Sequence, residues 1–286
     1  MSKLKNQKHF DYLVTIIGED FGEEGLGCIY ILENTDNNER CSVKTIAKKV
    51  DDSDVIPTVV ELWKAAELLE REVFDFVGIK FLGHPDMRRL FLRTDFNGYP
   101  LRKGFDMSPE ANQFPLTDEP ESDFTTVYSL NEDGHLVATK KRLFDDDDFV
   151  VNIGPNHPST HGVLRLQTVL DGEKVKRIYP HLGYIHRGIE KMWEGMTYPQ
   201  TLALSDRLNY LSAMMHRHAL VGVIEEGMGI ELSDRIHYIR TIMDELQRID
   251  SHLLYLGCTA QDLGALTAFL YCMRDREHVL NVMEET

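Results

Sequence analysis

Cysteine is scarce in this chain: Cys28, Cys41, Cys258 and Cys272 are the four among 286 residues, and no two of them form a C-x-x-C pair. The opening Met-Ser-Lys-Leu-Lys-Asn-Gln also lacks the apolar core of a secretory signal, so the reading is a reducing, cytosolic setting. There is no run of about 20 apolar residues, which excludes a membrane crossing by this sequence itself but not a position against a membrane-bound partner. Positive charge is in deficit, with 31 basic against 47 acidic side chains and a formal charge of −16. Such a surface repels phosphate backbones and argues against nucleic acid as a partner.

At 286 residues and 42% apolar content the chain can bury a sizeable core, and its length suggests about two domains. The run from Asp106 to Ser122 is acidic, interrupted by Pro109, Pro115 and Pro120, and without helical or strand period. It reads as a linker over 106–122. Before it, residues 1–105 form a small α+β module. Cys28–Leu32 and Val43–Ala47 read as strands, and Leu62, Ala66, Leu69, Val73 and Val77 recur at helical spacing.

After the linker, residues 123–286 make a second domain. Thr125–Leu130 and Leu136–Ala138 read as a hairpin around Glu132-Asp-Gly134, and Asp145 to Asp148 as a solvated turn. A second hairpin has strands near Val163–Leu170 and Lys174–Tyr179 about Asp171-Gly172. From Tyr198 the pattern turns helical, and three long helices are predicted. The first carries Leu204, Leu208, Leu211, Met215 and Ala219 as one apolar stripe, with Arg207 and Tyr210 together on a neighbouring face. The second starts at Ser233 as N-cap, buries Ile236, Ile239, Met243, Leu246 and Leu253, and presents Glu245, Arg248 and His252 on its other side. The third runs from Leu263 with Asp262 as N-cap, and no stop signal closes it at Thr286. The fold class is α+β.

The segment Asn152-Ile-Gly-Pro-Asn-His157-Pro-Ser-Thr-His161-Gly162-Val-Leu-Arg165-Leu is the densest in chemistry. Two histidines four apart would share a helix face, but Gly154, Pro158 and Gly162 make this a loop. His157 and His161 lack the third ligand of a zinc site. Each further candidate also has a plain reading. His181 and His186 suit turn hydrogen bonds, Arg207 a surface pair with Asp206, Tyr210 a core aromatic, Asp262 a helix cap, and Glu245, Arg248 and His252 a solvated ion-pair face.

At these residues, however, the chain resembles a known family. Asn152 to Leu166, Asp171-Gly-Glu173, Pro180-His-Leu-Gly183, His186-Arg-Gly188 with Glu190-Lys191, Asp206-Arg-Leu208, Glu245-Leu-Gln-Arg-Ile249, Ser251-His-Leu-Leu254 and Asp262-Leu-Gly-Ala265 are similar to the 49-kDa (D) subunit of respiratory complex I. Trp63-Lys-Ala-Ala66, Glu70-Arg-Glu-Val-Phe-Asp75, Gly83-His-Pro-Asp-Met-Arg-Arg89 and Gly98-Tyr-Pro-Leu-Arg-Lys103 are similar to its 30-kDa (C) subunit. The whole resembles a fused C/D subunit lacking the start of the C module and the C-terminal half of the D module.

The resemblance implies a peripheral-arm subunit of a proton-translocating NADH:quinone oxidoreductase, on the cytoplasmic side of the inner membrane. It implies a quinone chamber shared with a B-type iron-sulfur subunit that holds the terminal cluster, with I-type ferredoxin-like and H-type membrane subunits as further partners. This chain would itself hold neither metal nor nucleotide. Motif by motif, the quinone head-group histidine falls on His161, the quinone-bonding tyrosine on Tyr210, the acid paired with that histidine on Asp262, and the arginine beside the partner's cluster on Arg187. The sequence departs from the family at Leu202-Ala-Leu-Ser205 and at Asn209, where a proline and an acid are often found. Two other readings stand beside it. One is a large subunit akin to [NiFe] hydrogenases, with whose helical bundle the D subunit shares ancestry, although Asn209 and Ser212 occupy the positions where that enzyme needs nickel-binding thiolates. The other is a purely structural assembly subunit.

Overall fold

The computed structural model describes residues 1–108, 123–157 and 162–285. Apart from residues 106–108, the expected linker lies outside the described residues, as does His161. The chain divides into two compact units, Met1–Gly188 and Ile189–Thr286.

The first unit opens with a short helix, α1 (Ser2–Lys8), and an antiparallel sheet of β1 (Tyr12–Asp20), β2 (Leu26–Asn34) and β3 (Glu39–Ile46). The strands expected at Cys28–Leu32 and Val43–Ala47 are β2 and β3, the latter ending one residue early. Alternate residues of β2, among them Cys28, Tyr30 and Leu32, enter the core, as a period of two requires. A second sheet follows the order β4 (Lys48–Val50), β5 (Ser53–Pro57), β6 (Lys80–Leu82), β7 (Phe124–Leu130), β8 (Leu136–Arg142). Its central pairs β5–β6 and β6–β7 are parallel and its outer pairs antiparallel.

The β7–β8 hairpin, which follows the expected linker, adds to the sheet begun by β4 to β6, and the first compact unit runs to Gly188. A parallel strand pair needs a long crossover, and no local pattern announces it.

Helix α2 (Ala66–Val77) packs against β1 and β6, with Ala66, Val73, Phe76 and Val77 buried beside Leu13, Ile16, Ile79 and Phe81. Leu62, expected on the same stripe, precedes the helix in the turn 59–63. Two buried carboxylates fix the helix. Near its start, Glu70 accepts hydrogen bonds from Thr58 Oγ1 at 2.6 Å and Val59 N at 2.7 Å. Among the described residues no cation stands opposite it, and burial raises its carboxyl to about 7. Near its end, the Asp75 Oδ2 atom accepts from the backbone N–H groups of Leu90, Phe91 and Leu92 at 3.0, 2.7 and 2.9 Å. Its Oδ1 accepts from Arg89 Nη1 at 2.8 Å, and Arg89 in turn donates to the carbonyls of Phe96 and Gly98. Arg71, one turn earlier, donates to the carbonyls of Arg88 and Arg89. The motifs at 70–75, 83–89 and 98–103 are thus one polar network that folds an otherwise irregular segment onto α2.

A third sheet, antiparallel, has the order β11 (Lys174–His181), β10 (Arg165–Asp171), β9 (Phe149–Ile153). Both expected hairpins form, with the added strand β9 pairing to β10. The acidic turn at 145–148 is only partly solvated: the Asp148 side chain is covered and accepts from Arg177 at 2.6 Å.

The second unit is helical, with α3 (Ile189–Trp193), α4 (Tyr198–Ser205), α5 (Ala213–Met228), α6 (Asp234–Asp262) and α7 (Leu266–Glu285). The single helix expected through Leu204 to Ala219 is broken: Arg207 and Tyr210 share no helix face. Asn209 takes an extended backbone and its Oδ1 accepts from Leu211 N at 3.2 Å, so a 3-10 turn, Tyr210–Ser212, intervenes. Helix α6 starts after Ser233 as expected, although the Ser233 hydroxyl makes no capping bond. Its expected core stripe is not buried. Ile236 and Ile239 are exposed and Met243, Leu246 and Leu253 half-buried, while Gln247, Asp250 and Gly257 are the buried positions. Asp262 ends α6 instead of capping α7, because Gly264 turns the chain in the left-handed region between the two helices. No helix among the described residues is long and apolar enough to cross a membrane.

The carboxylates of α2 lend themselves to two tests. Asp75→Asn leaves the nearly buried Arg89 guanidinium without its counter-charge, and breaking a buried pair in this way costs about 3–5 kcal/mol. Urea unfolding of the first unit, read by Trp63 fluorescence in a Trp193→Phe background, should register that loss. Arg142→Ala, which removes an exposed pair with Asp146 in the same unit, should cost less than about 1 kcal/mol, and equal effects would contradict the assignment. For Glu70, the folded state holds the proton more tightly than the unfolded chain, whose carboxyl lies near 4.5. Its contribution to stability is therefore fully present below about pH 4.5 and lost as pH rises through about 7. On this basis Glu70→Gln gains on the wild type by up to about 3 kcal/mol between pH 5 and pH 8. A difference independent of pH would show that Glu70 is not held protonated.

Candidate functional site

The loop that carries His157 joins β9 to β10. A bridge between Asn156 and Val163 closes its base, and Arg165 Nε donates to Asn152 Oδ1 at 3.2 Å just below. Gly154 lies at φ +92°, and a Cβ there would sit 2.0 Å from the carbonyl oxygen of Leu164, so only glycine allows the two strands to approach so closely. The described ends of the segment are thus drawn together at a strand base, and residues 158–161 between them lie outside the described residues. His161 itself lies outside the described residues, and among the described residues no group of three or more His, Cys, Asp or Glu could hold a metal ion.

The β11 strand ends at His181, whose Nε2 is bonded to Gln167 Oε1 at 3.1 Å on the neighbouring strand. The chain then makes a turn in which His186 N donates to the Gly183 carbonyl at 2.9 Å. Of the two histidines read from sequence as turn-bonded, His181 therefore bonds a side-chain amide across the sheet. The His186 ring stacks on Phe76 and Phe91. Arg187 follows directly, exposed, and makes no ion pair among the described residues.

In the second unit Tyr210 stands on the 3-10 turn before α5 with 72% of its surface exposed, not as a core aromatic. The turn is fixed from both sides. Asn209 caps it, and the carbonyl of Leu211 accepts from Gln247 Nε2 on α6 at 3.2 Å. Arg207 donates to the carbonyl of Ala203 and pairs with Asp206 at 3.6 Å as expected, while Asp206 also accepts from Nε and Nη2 of Arg217 on α5. Asp262 lies 15 residues beyond Gln247 on α6, roughly 22 Å farther along the helix axis. The fold therefore sets Tyr210 and Asp262 at different levels of one helix and does not gather them at one point. Glu245 and Arg248 form an exposed pair at 3.0 Å.

Sequence reasoning missed the buried polar side chains of α6. Asp250 is almost fully buried and faces Arg276 of α7, whose Nη2 donates to Oδ2 at 3.3 Å while Nε approaches Oδ1 at 2.9 Å off the hydrogen-bond direction. Gln247 bonds both Asp250 and the turn below Tyr210. The available signal was an acid and an amide one turn apart on an amphipathic helix, with an arginine on the next. Around them the apolar side chains stay uncovered: among the described residues of this unit no large apolar side chain is fully buried. Tyr238, Ile242, Leu246 and Ile249 line an open groove of about 300 Å³ on α6.

Comparison with known proteins gives this arrangement a context. Residues 1–111 match the family described as respiratory-chain NADH dehydrogenase, 30 Kd subunit. Over all 286 residues the chain is 53% identical to the NADH-quinone oxidoreductase C/D subunit of Phocaeicola vulgatus, covering 54% of that protein. It is 52% identical to the C/D subunit of Bacteroides fragilis, again along its whole length and over 56% of that protein. It is 40% identical, over 98% of its own length, to the second C/D subunit of Aquifex aeolicus, of which it covers 50%. The chain spans about half the length of the curated relatives it matches. By the match of residues 1–111 to the 30-kDa family and the identity along its whole length to C/D subunits, the chain belongs to the family of fused C/D subunits of complex I.

Proposed function

We propose that this chain forms part of the quinone-reducing chamber of a proton-translocating NADH:quinone oxidoreductase, peripherally bound at the cytoplasmic side of the inner membrane. A B-type iron-sulfur subunit would supply the electrons from its terminal cluster, and I-type and H-type subunits would complete the surroundings. The observation that carries the reading is the identity of 53% along the entire chain to a fused C/D subunit, which includes the loop, turn and helix end that hold His161, Tyr210 and Asp262. The uncovered helix faces of the second unit support it, since a chamber wall made of apolar side chains stays open until partners close it.

In this reading His161 and Tyr210 are the donors to the quinone head group. Two-electron reduction places negative charge on the carbonyl oxygens, and a histidine and a phenol at hydrogen-bond distance stabilise that charge and deliver protons. Tyr210, exposed on a turn capped by Asn209 and tied to α6 by Gln247, is suited to present a hydroxyl in a fixed place. Asp262 would pair with the His161 ring, favour its charged form and regain an unshielded charge once the proton is given up, a link to remote proton pumping. Arg187, exposed and next to the stacked His186, faces the partner's cluster.

Kinship of the helical unit with [NiFe] hydrogenase large subunits belongs to the same reading, as shared ancestry without shared chemistry. Asn209 and Ser212 replace the thiolates that a nickel-iron pair requires, and the Asn209 amide is engaged as the cap of the Tyr210 turn. A purely structural role remains the competing reading, and variants in the assembled complex separate the two. At matched assembly, His161→Ala should lower quinone turnover on the order of 10²-fold, the size of a general acid contribution, and Tyr210→Phe should raise the KM for quinone about tenfold, as for a lost hydrogen bond to a charged acceptor. Unchanged kinetics in both variants would leave the chain a scaffold.

A further inference from the structure

The segment between β11 and α3, residues 182–188, has no ladder to hold it, and its one internal backbone bond is the turn from His186 N to the Gly183 carbonyl. Yet it is fixed at two points against the α2 module. Gly183 lies at φ +98° with its α-carbon pressed on the backbone of Phe91: a Cβ there would be 2.0 Å from the Phe91 carbonyl oxygen and 2.7 Å from its carbon. Three residues on, the imidazole of His186 stacks on Phe76 with ring centres 5.0 Å apart and planes at 24°, and on Phe91 at 5.9 Å and 27°. Phe76 and Phe91 are themselves parallel at 5.6 Å.

Both phenyl rings go back to one anchor. Phe76 follows Asp75 in α2, and the Phe91 N–H donates to the Asp75 carboxylate at 2.7 Å. Near-parallel offset rings at these separations attract one another beyond simple burial. Contact with the rings lowers the pKa of His186 by partial desolvation, an effect that the charge of Asp75 opposes. The residue that this contact delivers to the surface is Arg187.

We propose that Phe76, Phe91 and His186 form an aromatic clamp by which the N-terminal module positions the backbone of Arg187, with Gly183 as the close-contact point that lets the loop reach it. His186 and the two phenylalanines are positioning residues: they act through Arg187. The clamp itself rests on the ring geometry alone, and its relevance to electron entry rests on the quinone-chamber reading above.

Trypsin cleavage of the Arg187–Gly188 bond in the full 286-residue chain, followed by mass spectrometry and normalised to cleavage after the exposed Arg142, tests the clamp directly. His186→Ala should accelerate cleavage after Arg187 at least tenfold, and His186→Phe, which keeps a flat ring, should restore the wild-type rate to within about threefold. In the assembled enzyme His186→Ala should lower kcat for quinone about tenfold with KM within twofold, again rescued by His186→Phe. An unchanged cleavage rate in His186→Ala, failure of the phenylalanine variant to rescue, or full turnover despite faster cleavage would overturn the proposal. Arg187→Ala separates the two ideas: full turnover in that variant refutes the role of Arg187 near the partner's cluster, while the cleavage rates still decide the clamp.

Discussion

The buried carboxylate of Asp75 organises the N-terminal unit. A carboxylate removed from water is costly unless its lone pairs are filled, and Asp75 fills them with three consecutive backbone donors, Leu90 to Leu92, and one arginine. Those donors belong to a stretch with no regular secondary structure. Its polar backbone groups would be unpaired against the core without the carboxylate, which satisfies one side while Arg71 and Arg89 satisfy the carbonyls on the other. The stretch in turn exposes the ring and carbonyl of Phe91 on which the 182–188 loop rests. A single buried charge thus connects the motifs at 70–75, 83–89 and 98–103 to the loop at 182–188.

The second unit is organised differently. Its helices hold together through polar contacts, among them Arg240 to Glu225 at 2.7 and 2.8 Å, His218 to Asp244 at 2.5 Å, and Asp250 with Arg276. Many of its apolar residues are exposed, and Leu263 at the α6–α7 turn is 82% exposed. Apolar surface on this scale is not retained by an isolated domain. The proposed chamber would use these faces as its walls, with Tyr210 as a polar group at their edge.

Much of this was legible locally. The hairpins at Glu132-Asp-Gly134 and Asp171-Gly172 declared themselves because Gly134 and Gly172 supply the positive φ of a tight turn. The α2 stripe was visible at a period of 3.6 from Ala66 onward. What stayed hidden was set by contacts distant in sequence or by one side chain against a pattern. The β6–β7 pair joins strands on either side of residues 106–122, a contact that no local pattern announces. Asn209 interrupts a helical stripe by bonding its own backbone, and Gly264 moves Asp262 from the start of one helix to the end of another. The stripe of α6 is periodic but unburied, because periodicity reports which face is apolar and not what covers it. Among candidate site residues, the exposure of Tyr210 and the aromatic setting of His186 needed the structure, and their assignment to a quinone chamber came from motif resemblance alone.

The central claim is that the His161 loop and the Tyr210 turn face a quinone in the assembled enzyme. Photoaffinity labelling of the complex with a short-tailed azidoquinone, followed by mapping of the adducts, tests it most directly. The account predicts adducts within residues 157–162 and 207–212 that excess unlabelled quinone suppresses. Labelling that is confined to other subunits, or that falls on this chain without competition, would contradict it.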